Sequence, residues 1–221
     1  MMYAAVMATD FQGSLLEFVD ADDATEIEPQ PFGAGPDRTQ LTEGAWIDVF
    51  RGWMRGADEL FEHLAETVPW QAERRQMYER VVDVPRLLCF YDDGDELPHP
   101  ALVRAKAALD RRYRSELGET FRTAGLCYYR DGRDSVAWHG DRIGRGRRQD
   151  TMVAIVSVGA PRALMLRPRF GRGETRRYEV GHGDLIVMGG SCQRTWDHAV
   201  PKTTRPAGPR ISIQFRPLGV R

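Results

Sequence analysis

After residue 120 the chain turns into short β-branched runs set off by glycine: "AGLCYYR", "TMVAIVSVG", "RALMLRP", "DLIVMGG" and "RISIQFR". Each is of strand length, and no helical period intervenes. Strands this short bury their apolar sides only by stacking as sheets. That predicts a mostly β chain with flanking helices and a core that is a sandwich or a double-stranded β-helix (jelly roll). The last run alternates without a fault: Arg210, Ser212, Gln214 and Arg216 share one face, Ile211, Ile213 and Phe215 the other. The polar face therefore either lies in water or lines a polar cavity.

The first half reads differently. In "WIDVFRGWMRGADELFEHLAETV" the residues Trp46, Phe50, Trp53, Leu60, Phe61 and Leu64 recur near helical intervals, predicting an amphipathic helix broken near Gly56. A second helix is expected over "HPALVRAKAALDRRYRSEL", with Pro100 in its first turn, where the missing N–H has no partner to lose. Residues 20–44 are acidic and rich in Pro and Gly, which suits an irregular connection. The expected organisation is an irregular acidic region over 1–45 and one domain over 46–221, its helices first and its β core from about residue 120.

Cys89, Cys127 and Cys192 are odd in number and form no CxxC pair, which argues against a disulfide framework and a zinc ribbon. No apolar run approaches the roughly 20 residues of a bilayer span, and "MMYAAVMATDF" lacks a basic leader. A cytoplasmic protein with no membrane partner is expected. The formal net charge of -1 hides an asymmetry: acids dominate residues 1–66, whereas from Arg142 to Arg177 the arginines face only Asp150 and Glu174. Guanidinium forks suit phosphate oxygens, so this stretch fits a polyanion, although a solvated arginine face would look the same.

Chemistry concentrates in three segments. "SVAWHGDRIGRG" sets His139 and Asp141 two residues apart, on one face and about 7 Å apart at the backbone if the strand is extended. "TWDHAVP" adds His198. Two histidines and a carboxylate form the open facial set of non-haem iron(II) oxygenases, and zinc accepts the same donors. If the polar face of "RISIQFR" lines the same cavity, Arg210 and Arg216 are placed as clamps for a dicarboxylate such as 2-oxoglutarate.

Taken together these segments resemble the AlkB family of iron(II)- and 2-oxoglutarate-dependent dioxygenases. The likeness runs over roughly residues 85–217, through "VPRLL", "YYRDGRDSVAWHGD", "GHGDLIVMGG", "WDHAVPK" and "RISIQFRP". It implies metal ligation by His139, Asp141 and His198, a distal cosubstrate carboxylate on Arg210, and Arg216 nearer the chelating end and the substrate. It also implies cosubstrate contacts from Tyr129, Ser212 and Gln214. The family carries Asn-x-Tyr on the strand before HxD; here Cys127 replaces the asparagine, losing a hydrogen bond of about 1 kcal/mol. The cofactors implied are Fe(II), 2-oxoglutarate and molecular oxygen. The implied reaction is oxidative demethylation of N-alkylated bases such as 1-methyladenine and 3-methylcytosine in DNA, with release of formaldehyde.

A base in a duplex must leave the stack to reach a buried metal, and flipped bases rest between aromatic or apolar walls. Tyr78 and Tyr91 are candidates, with Trp196 and Trp138 behind them, Trp138 being expected in the core. Arg142 and Arg145 stand ready for phosphates. A turn explains His182, solvent-facing positions His63 and His99, and a hairpin connection "FGRGETRR". Two readings compete: the same cofactors acting on RNA, protein or a small molecule, and a non-catalytic nucleic-acid-binding jelly roll.

Overall fold

The computed structural model describes residues 26–33, 35–77, 80–146, 148–171 and 173–220. Strands β1 (Glu28–Pro29), β2 (Asp37–Gln40), β3 (Ala45–Phe50) and β4 (Met54–Arg55) come first. Where a helix is expected from Trp46 the chain instead forms β3, a turn at Arg51 and Gly52, and β4, and β2 lies in the stretch expected to be irregular. The reason is burial on both sides. Ala45, Trp46, Ile47 and Asp48 are all covered, so the apolar residues of β3 run on instead of alternating and mimic a helical stripe.

Helix α1 (Ala57–Thr67) starts only after Gly56, whose φ of 63° is left-handed. Strands β5 (Gln71–Met77) and β6 (Arg80–Tyr91) follow, then α2 (Pro100–Leu117) where the sequence places it. His99 caps α2, its Nδ1 accepting from the Ala101 amide at 3.1 Å. The His63 Nε2 lies 2.9 Å from the Pro98 carbonyl oxygen and its ring meets His99 edge-on, so both histidines are half-buried rather than exposed.

The remaining elements are β7 (Phe121–Tyr129), β8 (Val136–His139), β9 (Val153–Gly159), β10 (Arg162–Pro168), β11 (Arg176–Val180), β12 (Leu185–Gly190), α3 (Cys192–Thr195), β13 (Trp196–Val200) and β14 (Arg210–Pro217). All five runs read as strands are strands. An eight-stranded sheet in the order β2-β3-β12-β9-β14-β7-β6-β5 and a four-stranded sheet in the order β11-β10-β13-β8 make the jelly roll. "FGRGETRR" joins the antiparallel pair β10 and β11, as a hairpin should. Among the described residues no helix is long and apolar enough to cross a membrane.

The large sheet has two dissimilar faces. One is backed by α1 and α2 and packs Leu60, Leu64, Leu102, Leu109, Phe121 and Phe215; truncating a buried Phe of this kind costs about 3–5 kcal/mol. The other meets the small sheet through Ile47, Val153, Leu164, Ile186 and Trp196. β14 spans this divide. Ile211, Ile213 and Phe215 join the helix-backed core, while Arg210, Ser212 and Gln214 are 3%, 2% and 8% exposed. The polar face of "RISIQFR" is therefore turned in between the sheets, with Arg210, Ser212 and Gln214 closed to bulk water and Arg216 at its half-buried end.

Candidate active site

β8 and β13 pair so that His139 lies opposite His198. Their rings sit 4.2 Å apart at the centroids. β8 ends at His139, so the HxD pair does not share a strand. The chain leaves the sheet at Gly140, and Asp141 turns back until its Oδ1 is 3.5 Å from His139 Nε2. Glycine is required between them, because a β-carbon at 140 would stand 2.6 Å from the Gln193 carbonyl oxygen. Gln193, on the short α3, also accepts a hydrogen bond from the Asp141 amide through its side-chain Oε1 at 2.9 Å. One side chain thereby fixes where the carboxylate hangs. The His139, Asp141 and His198 donor atoms all fall within 4.8 Å of one another.

Protonation favours metal binding. His139 Nδ1 lies 2.8 Å from the Ala137 carbonyl oxygen, which accepts a hydrogen bond from Nδ1–H and so leaves the Nε2 lone pair free. Burial, helped by the nearby His139 and Arg216, lowers the His198 pKa to about 3 against the pull of Asp141, so its ring is neutral near pH 7. Burial alone would raise the Asp141 pKa, but the Arg216 guanidinium, by its charge and its hydrogen bond, leads the groups that hold the carboxyl well below the usual range. Arg216 Nε donates to Asp141 Oδ2 at 2.7 Å, and its Nη2 donates to Gln214 Oε1 at 3.1 Å. Arg216 thus orients the carboxylate, a link the alternation pattern on β14 cannot reveal.

Deeper between the sheets, antiparallel register aligns Arg210 with Tyr129 and Ser212 with Cys127. Arg210 Nε donates to Ser157 Oγ at 2.8 Å, and its Nη1 is buried without a partner. Burial pushes the Arg210 pKa down and pushes the Tyr129 phenol up to about 12. Gln214 Nε2 donates to Ser212 Oγ at 2.6 Å, and Cys127 Sγ lies 3.7 Å from Gln214 Oε1. A buried cation that faces a phenol, a thiol and hydroxyls, with an N–H to spare, is a receptor for an anion.

The substrate-side expectations fare unevenly. Tyr78 lies outside the described residues. Tyr91 packs on the helix-backed core, because on β6 it is in phase with Cys89 and points away from the cavity. Trp196 is sealed in the inter-sheet core. Trp138, expected in the core, is instead partly exposed with the Arg167 guanidinium 4.4 Å from its ring centroid. Phe90, the neighbour of Tyr91 on β6, is 52% exposed. A β-carbon at Gly125 would meet Arg216 Nη1 at 2.8 Å and Phe90 Cε1 at 3.1 Å, so Phe90 and Arg216 lie together over that glycine. The period of β6 was the available signal, since Phe90 alternates with Tyr91. Arg142 and Arg145 do reach the site: with Asp141, Arg194, Gln149 and Phe170 they line a groove of about 560 Å³. Arg145 is also paired with Glu119 at 2.9 Å.

A facial His/Asp/His group on a jelly roll, backed by a buried arginine, is the arrangement of one enzyme class. A model of the 2OG-Fe(II) oxygenase superfamily matches residues 49–216, and the chain belongs to that superfamily. Within it the chain is an AlkB-like dioxygenase dependent on Fe(II), 2-oxoglutarate and oxygen. Alpha-ketoglutarate-dependent dioxygenase alkB homolog 3 from Homo sapiens is 29% identical over 216 residues, covering 90% of this chain and 71% of that protein. DNA oxidative demethylase ALKBH2 from Bos taurus is 28% identical over 180 residues, covering 73% of this chain and 64% of that protein. The solved structure of OsALKBH1 shares the fold at a TM-score of 0.56 and 12% identity, over 81% of this chain and all of that one (100%). The residues present fit the cofactors: a neutral imidazole, a second imidazole with a free Nε2 and an ionised carboxylate suit iron(II), and the unpartnered Arg210 Nη1 suits the 2-oxoglutarate carboxylate.

Proposed function

We propose that this protein removes alkyl groups oxidatively from nucleobases in DNA, 1-methyladenine and 3-methylcytosine being the substrates in view. His139, Asp141 and His198 would hold iron(II), and Arg210 with Tyr129 would grip the distal carboxylate of 2-oxoglutarate. When bound, the iron and its cosubstrate supply oxidation of the N-methyl group coupled to decarboxylation of 2-oxoglutarate to succinate. The chain's own residues prepare that chemistry. Arg216 and Gln193 fix Asp141, the Ala137 carbonyl fixes the His139 tautomer, and the inter-sheet core keeps water from the cosubstrate end. An N-hydroxymethyl product is a hemiaminal and breaks down to formaldehyde and the restored base, so no general base is needed.

The observation that carries the substrate reading is the groove that opens at Asp141, where Arg142 can meet a phosphate and Arg145 and Arg194, paired with Glu119 and Asp150, add further guanidinium groups along the wall. Relatives named for DNA demethylation support the same choice. The test supplies Fe(II), 2-oxoglutarate and oxygen with matched 3-methylcytosine DNA and RNA oligonucleotides, following succinate, formaldehyde and base mass together. Demethylation of DNA with matching succinate, abolished in His139→Ala, is expected. Succinate without loss of the methyl group from DNA would refute the substrate assignment, and a preference for RNA would move it to that polymer.

A further inference from the structure

Arg210 is not alone among arginines in having a buried N–H without a partner. The register sets Leu87 opposite Tyr128 and Leu88 opposite Cys127, so one step further along β6 brings Arg86 opposite Tyr129. On the other side of Tyr129 stands Arg210. The phenol is therefore flanked across the sheet by two arginines on the cavity face. Arg86 donates Nη1 to the Ser135 carbonyl at 3.1 Å, and its Nε is buried with no partner. Arg162, a third cation near the same ring, behaves otherwise: it donates to the carbonyls of Asp131, Asp134 and Pro201. That full set of partners makes Arg162 structural, whereas Arg86 and Arg210 each keep a donor in reserve.

The surroundings of Arg86 say what that donor faces. Burial by itself lowers its pKa, but Cys127 and Tyr129 outweigh this, with Glu73 the least of the named contributors. The guanidinium thus lies against the position where the Asn-x-Tyr pattern would supply an amide. The thiol there is a weak donor, and its near neighbour is Gln214. An N–H of a guanidinium to a carboxylate is charge-assisted and roughly twice as strong as a neutral bond.

We propose that Arg86 is a cosubstrate-binding residue, its Nε–H donating to the distal carboxylate of 2-oxoglutarate beside Arg210 and the Tyr129 hydroxyl, in place of the donor that Cys127 lacks. The assignment rests on the reading of Arg210 as the carboxylate clamp and needs no nucleic acid.

The test is calorimetric titration of the Mn(II)-loaded full chain with 2-oxoglutarate and, separately, with 2-oxobutyrate, which keeps the chelating 2-oxo acid end and has no distal carboxylate. Wild type, Arg86→Met and the double variant Arg86→Met with Cys127→Asn are compared, each checked by thermal melting. Arg86→Met should bind 2-oxoglutarate about tenfold more weakly, the scale of one charged hydrogen bond, with 2-oxobutyrate unaffected. Adding Cys127→Asn should restore part of the loss. Unchanged 2-oxoglutarate affinity, or equal weakening of both ligands, would overturn the proposal, the second pointing to a role in holding the sheet. Should Arg86→Met fail to fold, Arg86→Lys keeps the charge and loses Nε, and the same selective loss is expected of it. A wild type that binds 2-oxobutyrate and 2-oxoglutarate equally well would instead remove the distal-carboxylate clamp altogether.

Discussion

Asp48 and Arg210 are both charged, both sealed from water, and carried on opposite faces of the same eight-stranded sheet. Asp48 is fully partnered: Arg38 donates to its two oxygens at 2.6 and 2.7 Å and the Tyr113 hydroxyl at 2.8 Å. Arg38 also bonds Glu116 at 2.8 Å and lies over the Trp46 ring, tying β2 and β3 to α2. Arg210 has only neutral partners, Ser157 and Tyr129, and an idle Nη1. A buried charge with every partner in place belongs to the scaffold. A buried charge with a donor left over marks where a ligand of opposite sign sits.

Asp48→Ala should show the largest effect, because it leaves the buried Tyr113 hydroxyl without a partner and removes one of the two carboxylates that hold Arg38. A loss of about 2–3 kcal/mol is expected in urea unfolding, with cosubstrate affinity of the folded fraction unchanged. Arg210→Met should do the reverse, weakening 2-oxoglutarate binding roughly 100-fold in titration calorimetry while leaving stability intact or higher. Gly140→Ala tests how closely the metal groups are held: the 2.6 Å approach to the Gln193 carbonyl should shift Asp141 and lower metal affinity about 10–100-fold, read by chelator competition. Tyr113→Phe, which removes a single hydrogen bond from Asp48, should cost about 1 kcal/mol and spare every ligand. Any of these variants that moved stability and cosubstrate affinity together would blur the distinction.

Much of this was legible in the sequence, for physical reasons. His139, Asp141 and His198 could be picked out because few residue sets serve a metal, and the five strand runs because short β-branched segments have little other use. The alternation of β14 left its polar face ambiguous between solvent and cavity, and only packing against the small sheet decides it. β3 carries a helix-like apolar pattern because covering both faces of a strand erases its period. The Asp48 cluster and the positions of Phe90 and Arg86 depend on long-range register, which local pattern does not carry. Tyr91 and Phe90 show the scale of the difficulty, since a slip of one residue moves a side chain from one face of the sheet to the other.

The most direct measurement compares thermal melting of Mn(II)-loaded wild type, Arg210→Met and Tyr113→Phe with and without saturating 2-oxoglutarate. The account predicts that Tyr113→Phe melts lower but keeps the full ligand-induced rise, and that Arg210→Met melts no lower than wild type yet loses most of that rise. Arg210→Met that melts well below wild type and is still fully stabilised by 2-oxoglutarate would contradict it, making Arg210 a scaffold charge like Asp48.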